Sequence, residues 1–336
     1  MGLLSNLLGF KDARPDASAP LTLRPATPAE YEPALRLILA PAGGAPDTRA
    51  IQDFIAFTGE RGIGLDGLHV AIQGGKIVSA ILPVISPGRT MLLLCPSPGL
   101  GHPADNATAR LVDPVCRYGQ EKGVELAQSL VDPSDTALGA ILTEGGFSPM
   151  AELYYLHAQP APGTPFPPLP EGMSWINYSP ETHATFGRAI LDSYQNSLDC
   201  PALNGRRDIE DIVAGHQASG SFDPGLWFLL REGEKSLGVL LLSESARSDA
   251  VELVYLGLCP AARGRKLGEL MMRQTFAMVA SRNLPRLCLA VDSLNTPALK
   301  LYYRHGMNRI ASKIAMLRDL QRPTSGATNS GVEGAT

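Results

Sequence analysis

In the second half of the chain, apolar and polar positions repeat with two different periods. Residues 174–178, 226–231, 236–243 and 251–259 are short runs of strand length and composition, and Glu232-Gly-Glu-Lys235 joins the middle pair as a hairpin turn would. Between 267 and 281 the apolar residues Leu267, Leu270, Met271, Phe276 and Val279 fall at helical spacing. The unbroken apolar stretch 285–291 predicts a buried strand. A helix is expected over 296–304, stopped by Gly306 at its C-terminal end, and 309–317 closes the series as a strand. Near the start, Ser179 and Pro180 read as an N-cap and a first helical turn, and a second helix is expected over 206–218. The predicted order is βααβββαβαβ, that of an α/β (α+β) unit.

The first half carries traces of the same pattern. Val131-Asp132, Thr136, Ile141 and Gly146-Phe147 answer Val291-Asp292, Thr296, Leu301 and Gly306-Met307, all displaced by 160 residues without a gap. Nearer the starts, Leu23-Arg-Pro-Ala-Thr-Pro-Ala-Glu30 parallels Trp175-Ile-Asn-Tyr-Ser-Pro-Glu-Thr182 at a displacement of 152. Together these predict an internal duplication. Residues 158–171 are too rich in proline for a helix or a ladder to pass through them. The expected organisation is an arm over 1–20, a first unit over 21–157, a linker over 158–171, a second unit over 172–321 and a disordered tail over 322–336.

Composition removes several alternatives. Residues 1–160 hold 11 Lys and Arg against 16 Asp and Glu, and residues 161–336 hold 18 against 17, so neither half offers the basic surface that nucleic acid requires. No run of apolar residues is long enough to span a bilayer. The apolar start at residues 1–10 lacks the basic flank of a secretion signal and, with Asn6, the hydroxyl residue of a myristoylation pattern. Five dispersed cysteines without a CxxC pair point to a reducing, cytoplasmic setting and away from disulfide or zinc frameworks. His183, His216 and His305 lack the i, i+4 spacing of a metal pair, so no metal is expected.

Candidate chemistry gathers in Leu258-Cys-Pro-Ala-Ala-Arg-Gly-Arg-Lys-Leu-Gly268, where a strand ends, a basic glycine-containing turn follows and a helix begins. A turn of this kind aims unpaired backbone N–H groups at one point, and the helix N-terminus adds about half a positive charge. A diphosphate suits such a place. A second segment, Asn295-Thr-Pro-Ala-Leu-Lys-Leu-Tyr-Tyr-Arg-His-Gly-Met307, follows at the next helix.

Together the two segments resemble the motifs of the GCN5-related N-acetyltransferases, over about 145 residues. Leu258, Pro260, Arg263 and Gly268 match the first motif, and Lys266 stands where its first glycine belongs. Met307 replaces the phenylalanine that ends the second. The resemblance implies two tandem units of this type, each a mixed, mostly antiparallel sheet flanked by helices, with acetyl-CoA or another acyl-CoA as cosubstrate. It implies that the pantetheine arm pairs with the backbone of Leu258 and Cys259, and that Arg263, Gly264, Arg265, Lys266, Leu267 and Gly268 hold the diphosphate. It further implies Tyr302 as the general acid and Glu252 as a base. Asn295 either contacts pantetheine or caps the helix after it. The expected reaction moves a short acyl group to a primary amine of a small molecule or peptide, and the second reading is a CoA-binding scaffold without catalysis.

At a displacement of 160 the first unit presents Pro103-Ala-Asp-Asn-Ala-Thr108, with no basic residue and with Asp105 set to repel a diphosphate. Leu142 replaces the tyrosine and Asp135 the asparagine. Gly99-Leu-Gly-His102 is the one substitute turn nearby. The first unit is therefore expected to be degenerate, to pack beside the second in a monomer and to help wall the acceptor pocket.

Overall fold

A computed structural model describes residues 19–40, 48–60, 62–97, 104–245 and 249–321. The order βααβββαβαβ occurs twice. The first pass comprises β1 (Thr22–Pro25), α1 (Tyr31–Ile38), α2 (Thr48–Glu60), β2 (His69–Gln73), β3 (Lys76–Ser86), β4 (Thr90–Leu94), α3 (Ala104–Glu121), β5 (Leu126–Val131), α4 (Thr136–Glu144) and β6 (Ser148–Ala158). The second comprises β7 (Met173–Asn177), α5 (His183–Tyr194), α6 (Ile209–Gln217), β8 (Trp227–Glu232), β9 (Lys235–Glu244), β10 (Ala250–Leu258), α7 (Leu267–Ser281), β11 (Arg286–Asp292), α8 (Thr296–Arg304) and β12 (Asn308–Asp319). Residues 159–172 hold neither helix nor strand. Gly99 and His102, the arm over 1–18 and the tail over 322–336 lie outside the described residues.

One local expectation is corrected. Helix α5 begins at His183, after Thr182, so Ser179 does not cap it. The Thr182 N–H donates to the Ser179 carbonyl at 3.1 Å, and Pro180 sits inside this separate turn.

All twelve strands form one sheet in the order β1-β2-β3-β4-β5-β12-β6-β11-β10-β9-β8-β7. The final strand of each unit has crossed to the other. β12 pairs antiparallel with β5, and β6 pairs antiparallel with β11, while β6 and β12 pair antiparallel at the centre. In that central pair Leu153 lies opposite Lys313, its own counterpart at a displacement of 160. A pseudo-twofold axis therefore passes between them, as in an isologous dimer, with both copies on one chain.

Two-sided burial holds the sheet. In β9 seven consecutive positions, Leu237–Ser243, are buried, because side chains of α7 and α8 cover one face and those of α5 and α6 the other. Burying each such leucine contributes roughly 1.5–3 kcal/mol. Met91, Leu111, Val115 and Leu142 form a matching core in the first unit.

The β3–β4 turn of the first unit also docks on the second. Arg89 at its tip donates to Asp211 through Nε and to Asp208 through Nη2, each at 2.8 Å. Arg207 donates to the Asp211 carbonyl at 2.7 Å and reaches the Gly88 carbonyl at 3.4 Å. Among the described residues no helix is long and apolar enough to cross a membrane. All five cysteines are unpaired thiols.

Candidate functional site

Strands β10 and β11 run parallel, and their pairing covers only Ala250 to Glu252 against Arg286 to Cys288. Beyond Glu252 an irregularity between Leu253 and Tyr255 bends β10, which stays with β9 as far as Leu258 and leaves β11. The parting strands open a cavity of about 930 Å³, bordered by Tyr255, Leu256 and Leu258 on one side, by Ala290 and Val291 on the other, and by Tyr302. Strand alternation decides which backbone groups face it. The Cys259 N–H donates to Leu237 at 2.9 Å and its carbonyl accepts from Ala262 at 2.8 Å, so both of its backbone groups are spent inside the fold. Leu258 is the residue of that pair on the cavity wall.

At one end the cavity meets the start of α7. Lys266 occupies the N-cap position in the left-handed conformation, φ 60° and ψ 17°, without a side-chain cap. The first-turn N–H groups of a helix have no acceptors one full turn back; that of Glu269 donates to the Lys266 carbonyl at 3.2 Å, which leaves those of Leu267 and Gly268 for a guest. Gly264 also has positive φ, at 77°. Gly268 serves a different need: a Cβ there would lie 3.1 Å from Leu301 Cδ2, so glycine lets α7 close on α8. The turn thus keeps glycine-type backbone geometry at 266 despite the lysine side chain.

The cations around the turn divide. Arg263 lines the cavity, yet its guanidinium donates to the carbonyls of Leu258 (3.1 Å), Asn196 (3.3 Å) and Ser193 (2.9 Å). Arg265 pairs with both carboxylate oxygens of Glu232, at 3.2 and 2.8 Å. Lys266 lines the cavity and makes no ion pair among the described residues. The turn as built fits a diphosphate through the uncapped helix start and Lys266, with Arg263 bracing the loop.

Tyr302 is 7% exposed, packed into the second unit's core with its phenol raised above the ordinary value by burial and then by the Asp199 carboxylate. A phenol so raised stays protonated and keeps its hydrogen available to donate. The Asn295 side chain accepts from the Ala298 N–H at 3.4 Å, so it caps α8 while lining the cavity. Asp135 does the same for α4 through Leu138 at 3.0 Å.

Glu252 lies at the end of the parallel pairing and borders a second cavity of about 700 Å³ between the units. The first unit contributes Phe57, Ile63, Asp66, Val84 and Tyr118 to it, and the second adds Ala218 and Ser245. Glu252 is exposed to the cavity, yet the protein around it displaces enough solvent to raise its carboxyl above the usual glutamate value. Consecutive residues, Glu252 and Leu253, thus face the two cavities.

Two groups here were not singled out from sequence. Asp199, on the wall of the larger cavity, accepts from the Asp292 N–H at 3.3 Å and is raised by burial and by the Asp292 charge. Tyr155, on the crossed strand β6, is raised by burial and then by Glu252, which brings a first-unit phenol within electrostatic reach of the second unit's carboxylate. Residue type alone gave no signal for either, since each depends on contacts distant in sequence. Among the described residues no three His, Cys, Asp or Glu side chains converge as a metal site would require.

Residues 191–307, which contain the whole splay, the turn and α8, match the family model described as the acetyltransferase (GNAT) family. The second unit is thus a GNAT domain. Solved GNAT folds align with both units and not with the second alone. A GCN5-related N-acetyltransferase from Sphaerobacter thermophilus aligns with a TM-score of 0.64 at 19% identity, covering 92% of this chain and 97% of that one. A tandem GNAT protein from the clavulanic acid biosynthesis pathway aligns with a TM-score of 0.51 at 12% identity, covering 90% and 100%. Among curated relatives, the mycothiol acetyltransferase of Streptomyces bingchenggensis (strain BCW-1) is 30% identical over 143 residues, 42% of this chain and 45% of that protein. That of Catenulispora acidiphila is 25% identical over 183 residues, 53% and 57%. The chain spans about half the length of the curated relatives it matches.

Proposed function

We propose that this GNAT protein transfers an acetyl or other short acyl group from acyl-CoA to a primary amine of a small molecule or peptide, and does so in the cytoplasm. The observation that carries the reading is the parting of β10 and β11 after Glu252, which opens a cavity onto the uncapped start of α7. The thioester arm occupies the parted strands, its diphosphate rests on the N–H groups of residues 264–268 and on Lys266, and the amine enters from the cavity between the units.

Glu252 takes the proton of the arriving ammonium. The free amine attacks the thioester carbonyl, forming the C–N bond; as the tetrahedral centre collapses the C–S bond breaks, and Tyr302 supplies the proton that converts the departing thiolate to thiol. The nitrogen's remaining surplus proton leaves to solvent. The raised carboxyl of Glu252 is a stronger base than an ordinary glutamate, which suits the first step.

Free-thiol release from acetyl-CoA across a panel of amines tests the reading. Wild type is expected to turn over, Glu252→Gln to lose about 10²–10⁴-fold in kcat/KM, and Tyr302→Phe to lose kcat while keeping acetyl-CoA affinity. Tight acetyl-CoA binding without thiol release from any amine would replace this reading with that of a CoA-binding scaffold.

A further inference from the structure

The cavity between the units has a one-sided charge. Of its described lining residues, Asp66 and Glu252 are carboxylates and none is Lys, Arg or His. Glu252 is supplied by β10 of the second unit, and Asp66 by the segment between α2 and β2 of the first. Asp66 Oδ2 accepts a hydrogen bond from the Tyr118 hydroxyl at 3.0 Å, which orients the carboxylate without neutralising it. Neither carboxylate has a basic partner among the described residues. Phe57, Ile63, Pro83, Val84 and Ile85 add apolar surface to the same lining, beside the polar Ser86, Tyr118 and Ser245.

A cavity with two carboxylates, no cation in its lining and apolar side chains among its walls favours a guest with two positive centres and a hydrocarbon stretch between them. We propose that the acceptor is such a dication, an alkyl diamine or polyamine. One amine reacts at Glu252, and the second is held by Asp66 of the first unit. This rests on the acyl-transfer reading and adds the acceptor's chemical class. It also gives the first unit a task that its lost diphosphate turn does not: it recognises the far end of the substrate.

The assay uses the full chain saturated with acetyl-CoA and, as probes, α,ω-diamines of three to eight carbons and spermidine. Monoamines of equal length and ω-amino acids serve as comparison. Turnover is read as thiol release, and binding as the shift in Tm of the acetyl-CoA complex. A diamine of one preferred length is expected to exceed its monoamine in kcat/KM by on the order of tenfold, the worth of one charge-assisted contact. Asp66→Asn is expected to bring the diamine-to-monoamine ratio close to one, and Asp66→Glu to move the preferred length. Equal performance of diamines and monoamines, a preference for ω-amino acids, or neither turnover nor a Tm shift with any diamine overturns the proposal. Failure to bind acetyl-CoA at all is a separate outcome, which overturns the acyl-transfer reading beneath it.

Discussion

Arg263 donates through Nη2 to the Ser193 carbonyl at 2.9 Å, so a residue of the turn before α7 holds the last turn of α5. The carbonyls at a helix end lack intrahelical donors, and a planar guanidinium can serve several acceptors at once. Arg263→Lys is therefore not conservative. It is expected to cost about 1.5–3 kcal/mol in urea unfolding and to weaken acetyl-CoA binding, because the α5–α6 segment and the turn loosen together. A variant with unchanged stability and reduced binding would instead place the guanidinium on the diphosphate.

Lys266 sits in a left-handed conformation that costs a non-glycine residue about 1–2 kcal/mol. Part of any gain from glycine is offset by the greater freedom of the unfolded chain. Lys266→Gly is thus expected to stabilise the protein by about 0.5–1 kcal/mol, measured as a higher urea midpoint. The same change removes a cation, so acetyl-CoA affinity should fall and its salt dependence weaken.

Glu252 makes stability and activity respond to pH in opposite directions. Its carboxyl is raised in the folded state by the protein that surrounds it in the cavity. Its contribution to stability is full below the ordinary glutamate value and is lost as pH rises through the raised one. The proposed chemistry needs the deprotonated form, so kcat/KM should fall on acidification with an apparent pKa above the ordinary carboxylate range. Glu252→Gln should flatten the stability profile in that window, as followed by Tm against pH.

The crossed strands bind the two units together. A fragment spanning 172–321 would leave β11 without β6 and β12 without both of its neighbours, β5 and β6. It is expected to expose these pairing edges and to associate or aggregate, visible by size-exclusion chromatography. A soluble monomeric fragment with unchanged acceptor KM would contradict the view that the first unit completes the site.

Much of the second unit was legible because periodicity and turn chemistry act locally. The helix over 267–281 coincides with α7, and the helix over 296–304 with α8. The repeat at 160 residues reappears as Asp135 and Asn295 capping equivalent helices. The strand crossing was not legible, since a terminal strand with the right apolar face can fill the same slot in either copy. Arg263 showed its charge in sequence but not its direction, which is set by carbonyls left open at the end of α5. Asp199 and Tyr155 join the site through contacts that no local pattern records.

A structure determined with acetyl-CoA tests the central claim most directly. The account predicts diphosphate density at the start of α7 beside Lys266, and pantetheine lying between β10 and β11 with its thioester approaching Tyr302. Density at the first unit's equivalent turn, or none between the parted strands at saturating acetyl-CoA, would contradict it.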